Sequence, residues 1–246
     1  MFAKRMKQVC LFLIDLVLCA IIAVAQETDT RASDIIERFY HGETVTIQEA
    51  EALVREAAQT TDSITQATLN RYIQCCTALS TVMAGAPQQT AQSLLKDFEQ
   101  TVKPLIRTSK DSETLRLYAE YLYSKLLWGK SHFSIINQLP FWYTRNKFYT
   151  KDERASLDMA RWYTAAANGS TATWNAFIRS QEPLIETAIL SDSERFNLYV
   201  AYSLFYMKTL NTEKGLIYLE KARMLFPNSV HVALLERNYR RGVFHW

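Results

Sequence analysis

Four histidines, His41, His132, His231 and His245, are the side chains best suited to move a proton or hold a metal near neutral pH. Their spacing serves neither purpose. Each stands in a different part of the chain, with no second His or Cys at the short helical separations that put two ligands on one face. His231 opens a helix and reads as a surface residue; His245 lies in the terminal tail. Paired carboxylates could do general acid–base work, but Glu49 with Glu51 and Asp192 with Glu194 sit where helices begin. Negative charge there complements the unpaired first-turn N–H groups. No serine has the flanking glycines of a nucleophile elbow, and no glycine-rich loop could cradle a phosphate. The expected catalytic, cofactor-binding and metal-binding residues are therefore none, and the chain reads as non-enzymatic.

The first residues set the compartment. Lys4, Arg5 and Lys7 precede an apolar run from Val9 to Ala25 that ends in the small residues Ala23, Val24 and Ala25, the pattern of a secretory signal peptide cleaved after Ala25. Asp15 in the middle of the run argues against a retained span, since a carboxylate there costs roughly 2.5–3.5 kcal/mol. Leu18 before Cys19 is too large for a lipidation site resembling the bacterial lipobox. Cleavage would remove Lys4, Arg5, Lys7 and Asp15 and leave 25 basic and 24 acidic residues, a balance with no Lys/Arg cluster for a phosphate backbone. Nucleic acid is not an expected partner, and the membrane is one only if the signal segment stays uncleaved. Cys10 and Cys19 would leave with the signal, so Cys75 and Cys76 remain, neighbours that point about 100° apart on a helix. Two thiols in or near the core is the preferred reading; a vicinal disulfide and an intermolecular bridge stay open.

No segment alternates at the two-residue period of a strand, whereas Leu115, Ala119, Leu122 and Leu126 share one helical face, as do Ala155, Met159, Trp162 and Ala166. Helix starts are marked by Asp111, Asp152 and Asp192, at intervals of 41 and 40 residues, and by Thr46 with Glu49, Thr150 with Glu153, and Ser191 with Glu194 at capping-box spacing. Midpoints are marked by Gly85 with Pro87, Gly129 with Ser131, Gly169 with Ser170, and Asn211 with Thr212. The chain is thus expected to be all-α, with a signal peptide at 1–25, an N-terminal helical segment at 26–60 and a helical repeat domain at 61–246. Within that domain the expected hairpins are 63–106, 111–143, 152–188 and 193–226, with a closing helix at 230–241. Pro183 falls inside what should be a second helix, and Leu139–Tyr143 is the densest aromatic cluster, read as core between units.

Phe196–Ser229 carries a pattern of its own. Tyr199, Tyr202, Ser203 and Tyr206 recur along a first helix, and Gly215, Leu219, Ala222 and Pro227 along a second, at the spacing of a tetratricopeptide repeat. Ser203 and Gly215 are small where two helices must approach closely; the tyrosines and Leu219 fill the space between them; Pro227 ends the second helix. The segment resembles that family, with Tyr in place of Trp and Leu at the first two positions and Ser in place of Gly. The earlier units keep the punctuation but run nearer 40 residues than 34.

The resemblance implies a right-handed stack of antiparallel hairpins, a tetratricopeptide-like solenoid, whose first helices line a concave side that holds a peptide or protein. Carried over within the one well-matched repeat, Asn197, Val200, Leu204 and Lys208 would face that groove, with Leu234 and Asn238 on the following helix. Val200 and Leu204 depart from the Lys/Asn clamp with which some family members grip a C-terminal carboxylate, so an apolar peptide or flat protein surface is the expected ligand. The expected function is a secreted or periplasmic, non-catalytic scaffold or adaptor without cofactor. The alternatives are a helical enzyme or glycan-handling protein with a pocket of carboxylates and aromatics around Trp142, Trp162 and Trp174, and a membrane-tethered scaffold. Arg237, Asn238, Arg240 and Arg241 would give the closing helix a polar outer face, followed by an apolar tip of Val243, Phe244 and Trp246.

Overall fold

The structure is a computed structural model that describes residues 30–59, 65–83, 89–125, 153–166 and 172–242. The signal segment, Gly85 with Pro87, the second half of the 111–143 hairpin with Trp142, the Gly169–Ser170 turn and the Val243–Trp246 tip lie outside the described residues. Those described form helices joined by turns and contain no strand, so the fold is all-α. In chain order the helices are α1 (30–40), α2 (Ile47–Gln59), α3 (Gln66–Val82), α4 (Gln89–Thr108), α5 (Ser112–Ser124) and α6 (Glu153–Ala166). They continue as α7 (Ala172–Gln181), α8 (Leu184–Thr187), α9 (Asp192–Lys208), α10 (Thr212–Leu225) and α11 (Val230–Arg240). No helix among the described residues is long and apolar enough to cross a membrane.

The starts follow the side chains that can cap them. Thr46 Oγ1 accepts from the Glu49 N–H at 3.2 Å, Asp111 from Thr114 N–H at 2.8 Å and Asn211 from Lys214 N–H at 3.3 Å. Ser191 closes a full capping box: its Oγ accepts from Glu194 N–H while its own N–H donates to Glu194 Oε2 at 2.8 Å. Each such cap is worth about 1 kcal/mol. Pro183 interrupts rather than continues its helix, separating α7 from the one-turn α8, because proline has no N–H to give and its ring crowds the preceding turn.

Helix composition then decides depth. On α4 a single stripe of Ala91, Leu95, Phe98, Val102 and Ile106 is buried, as suits an outer helix. On α9 every residue from 198 to 207 is buried, so it must be packed on all sides, and α6, α10 and α11 surround it. First helices also pack on first helices, α3 on α5, α5 on α6, α6 on α9 and α9 on α11. The α9–α10 contact is close because Ser203 and Gly215 are small: the Ser203 hydroxyl donates to the Gly215 carbonyl at 2.8 Å. Tyr199, Tyr202, Tyr206, Leu219 and Ala222 are all buried around that contact, while Pro227 lies in the exposed turn after α10. Cys75 and Cys76 are both buried in α3.

Helix α1 ties the chain's two ends together. It pairs antiparallel with α2, since Arg31 meets Glu56 at 3.1 Å near one end and Arg38 meets Glu49 at 2.7 Å near the other. Its opposite face buries Phe39 and Tyr40 against the C-terminal helices, with Tyr40 5.3 Å from Phe196 and Phe39 5.9 Å from His231, centroid to centroid. Helix α1 is thus packed against α9 and α11 as well as α2.

Candidate functional site

The inward faces of α1, α3, α5, α6, α9 and α11 converge on one cavity of about 290 Å³. From α3 come Gln74, Thr77 and Thr81, at helical spacing along one face. From α5 come Arg116, Leu117, Glu120, Tyr123 and Ser124, and α6 adds Arg161. Glu194, Asn197 and Val200 of α9 and His231 of α11 face them, and α1 covers the space with Ala32, Ser33, Ile36 and Tyr40. A smaller space of about 130 Å³ adjoins it on the α6 side and shares Arg116, Glu120, Arg161, Glu194 and Asn197.

A charge network forms one wall. Arg161 is only 7% exposed and is ion-paired with Glu120 and, at 3.5 Å, with Asp158. Glu120 Oε1 also accepts from the Trp162 indole N–H at 2.9 Å. Arg116 grips Glu113 through two hydrogen bonds, of 2.8 and 2.7 Å, and reaches Asp158 at 3.8 Å. The Arg161 guanidinium lies 5.0 Å from the centre of the Tyr123 ring. Burial pushes the Arg161 pKa down, but Glu120 and Asp158 more than offset it, so the guanidinium stays charged. Burial raises the Asp158 pKa, reinforced by the Glu120 charge and opposed by Arg161 and Arg116. The carboxylates and guanidinia largely cancel one another's charge in a setting where an unpaired ion would be costly.

The opposite wall is aromatic. His231 is 3% exposed, among Phe39, Tyr40 and Phe196, and burial lowers its pKa to about 4, so it is neutral at pH 7. The expectation of a surface histidine at this position is corrected: α1 returns over the start of α11 and covers it. Burial raises Tyr40 to about 12, partly opposed by a hydrogen bond with Asn197.

A second carboxylate cluster explains the Pro183 irregularity. The break between α7 and α8 lets Glu182 accept from the Tyr218 hydroxyl at 2.6 Å, from Lys214 at 2.7 Å and from the Tyr206 hydroxyl. Burial tends to raise its pKa, yet those hydrogen bonds prevail and hold it below the usual value. Glu186 accepts from Tyr199 at 3.3 Å and from Lys221 at 2.7 Å. Tyr199 and Tyr206 of α9 are thereby hydrogen-bonded to glutamates at the α7–α8 break.

Of the residues expected to line a groove, the cavity unites Asn197 and Val200, the latter 4% exposed. Leu204 is 1% exposed and belongs to the core, because α9 is enclosed on every side. Its assignment to an open groove is corrected for this closed arrangement. Lys208 aims its ammonium at the Thr164 and Ala165 carbonyls, at 3.4 and 3.5 Å, and burial lowers its pKa to about 8. Leu234 and Asn238 are half-buried on α11. Trp162 is buried against the network, and Trp174 packs on Tyr163 at 4.9 Å. Arg161 and Glu120 were not singled out from the sequence, although each is a charge with apolar neighbours on both sides, in Ala160-Arg161-Trp162 and Ala119-Glu120-Tyr121. Among the described residues no group of three or more His, Cys, Asp or Glu side chains could hold a metal ion.

No protein-family model, curated protein or solved structure matched the chain.

Proposed function

We propose that this protein is an exported, tetratricopeptide-like helical scaffold that works by binding a protein partner and not by catalysis. The observation that carries this reading is that successive first helices, α3, α5, α6, α9 and α11, contribute to one inner face, and that this face already holds a helix, the chain's own α1. A surface that accepts an amphipathic helix through Ala32, Ile35, Phe39 and Tyr40 is built for helix-in-groove recognition. The cavity's carboxylates are engaged, Glu120 by Arg161 and the Trp162 N–H and Glu194 by Arg154, which suits an internal ion-pair network better than proton transfer.

With α1 seated, Val200 and Leu204 are out of a partner's reach, and two of the expected contact residues that stay partly exposed are on α11. Asn238 lies two turns along from His231 on the same helix face, with Leu234 beside it, and both are half-exposed. A partner of the scaffold contacts these two residues first. The test is affinity capture from the extracytoplasmic fraction, comparing the wild-type protein with the double variant Leu234→Glu, Asn238→Arg. A partner retained by the first and lost by the second is expected, and the mature chain should begin at Gln26. Undiminished capture by the variant, or substrate turnover by the isolated protein, would sink the reading.

A further inference from the structure

We propose that the cavity lined by α1, α3, α5, α6, α9 and α11 is a binding site for an uncharged, hydroxyl-rich small molecule of sugar size. The inference does not depend on the scaffold reading, because it rests on which hydrogen-bonding groups the lining leaves available.

Size comes first. A cavity of about 290 Å³ is many times the ~10–15 Å³ that holds one water, more than the single bridging waters that fill structural gaps need. It stands at the small end of the range for ligand pockets, about 300–1,000 Å³.

The α3–α5 wall then selects the ligand's polarity. Thr77 and Thr81 donate their only hydroxyl protons to the Ile73 and Thr77 carbonyls, at 2.9 and 2.8 Å, and Ser124 donates its own to the Tyr121 carbonyl at 2.7 Å. Each of these oxygens can therefore only accept from a ligand. Gln74 adds a side-chain oxygen that is buried without a hydrogen-bond partner, a group costing about 1–3 kcal/mol that a turn of the amide toward the cavity would let a ligand donor satisfy. Four acceptors on one wall call for a ligand that brings several donors.

Charge decides between the two kinds of donor-rich molecule, polyols and organic cations. Arg161 is answered by Glu120 and Asp158, and Arg154 pairs with Glu194 at the rim. An ammonium would enter beside the Arg116 and Arg161 guanidinia, where the two carboxylates that line the cavity, Glu120 and Glu194, are already ion-paired, and a carboxylate ligand would have to break an existing pair. Hydroxyl groups bring donors without net charge, and their lone pairs can accept from the Arg161 and Arg116 edges. Ile36, Leu117, Val200 and the Tyr40 ring supply the apolar surface on which the C–H face of a sugar ring packs.

Isothermal titration of the purified protein with glucose, galactose, N-acetylglucosamine, maltose and cellobiose, alongside putrescine and succinate, tests the proposal. At least one of the neutral sugars should bind saturably at millimolar concentration or below. Gln74→Leu and Thr77→Val, which nearly preserve side-chain shape while removing an acceptor, should each weaken that binding at least tenfold with unchanged circular dichroism. Absence of binding by every sugar, binding by putrescine or succinate alone, or sugar binding unaltered in both variants would overturn it. Loss of partner capture in the α11 double variant, with sugar binding intact, would separate this site from the scaffold surface.

Discussion

Gly42 stands directly against Asn228. A Cβ built on Gly42 would lie 2.3 Å from the Asn228 carbonyl oxygen and 2.8 Å from its Cβ, and Gly42 has a φ of +75°, in the left-handed region. The turn after the first described helix is thus pressed onto the turn before the last, with backbone in place of a side chain at the contact. This junction seats α1 over the cavity and buries His231.

Replacing Gly42 by Ala should therefore destabilise the protein through two additive causes. The left-handed conformation costs a residue with a Cβ roughly 1–2 kcal/mol, and overpacking against fixed backbone costs about 1–3 kcal/mol. A loss of about 2–5 kcal/mol is expected in urea unfolding, and a loss below about 0.5 kcal/mol would mean that the two turns are not in contact.

The α9–α10 contact should be equally intolerant. A Cβ on Gly215 would sit 3.1 Å from the Ser203 carbonyl oxygen and 2.9 Å from Met207 Cγ. Gly215→Val and Ala222→Trp are each expected to cost about 1–3 kcal/mol by overpacking. Gly215→Ala should cost less, since Ala regains up to about 1 kcal/mol of helix propensity. Midpoints of chemical denaturation rank the three variants.

Leu210 offers the opposite result. It ends α9 in a Schellman arrangement, with the Asn211 N–H donating to the Tyr206 carbonyl at 2.8 Å and its own N–H to Met207 at 3.2 Å. Its φ is 61° and its side chain is 85% exposed, so it bears the strain of the left-handed region with little burial in return. Leu210→Gly should stabilise the protein by about 1 kcal/mol, read as a higher midpoint.

Acid should loosen the α1–α11 junction. Burial lowers the His231 pKa to about 4, below the 6.5 of the unfolded chain, so between these values the unfolded state binds more protons. Stability from this group is complete above pH 6.5 and declines as pH falls toward 4, by up to roughly 3 kcal/mol. His231→Phe, among Phe39, Tyr40 and Phe196, should abolish that decline. Asp158 acts in the reverse sense: its raised pKa means that the folded state holds the extra proton, so its share of stability grows as pH falls through the same range. In the His231→Phe variant, denaturation midpoints should therefore fall less than in the wild type between pH 6.5 and 5, the remaining acid loss coming from carboxylates such as Glu182 whose pKa is held down; an unchanged acid loss would refute the role given to His231.

The Arg161–Glu120 pair should show strong coupling. Glu120→Leu leaves a buried guanidinium with less compensation and takes an acceptor from Trp162, for an expected loss of about 3–5 kcal/mol. Arg161→Met with Glu120→Leu removes both charges and should recover most of that loss. A double-mutant cycle in thermal or urea unfolding measures the difference, and simple additivity would show that the pair is not coupled.

Local rules were readable in the chain to the residue. Thr46, Asp111 and Ser191 cap helices where they were expected to, and Asn211, expected only to mark a midpoint, caps the helix that follows it, because a cap involves only its own first turn. Ser203 and Gly215 meet where small residues were required. Pro183 was legible as a disturbance, but its consequence, Glu182 bonded to Tyr206 and Tyr218, needed the next hairpin in place. The site was largely illegible for the same reason: Gln74, Glu120, Arg161, Asn197 and His231 come from five different helices.

By itself the sequence determined the all-α fold, the positions of most described helix starts and the small-residue contact of the last hairpin, since helical periodicity, capping and turn chemistry act over one or a few turns. Only the tertiary structure decided that α1 lies across the inner face, that His231 and Leu204 are buried, and that opposite charges from α5 and α6 neutralise one another beside a cavity. These outcomes depend on contacts between residues far apart in the chain, and no local preference of His231 or Arg161 encodes which distant helix will cover it.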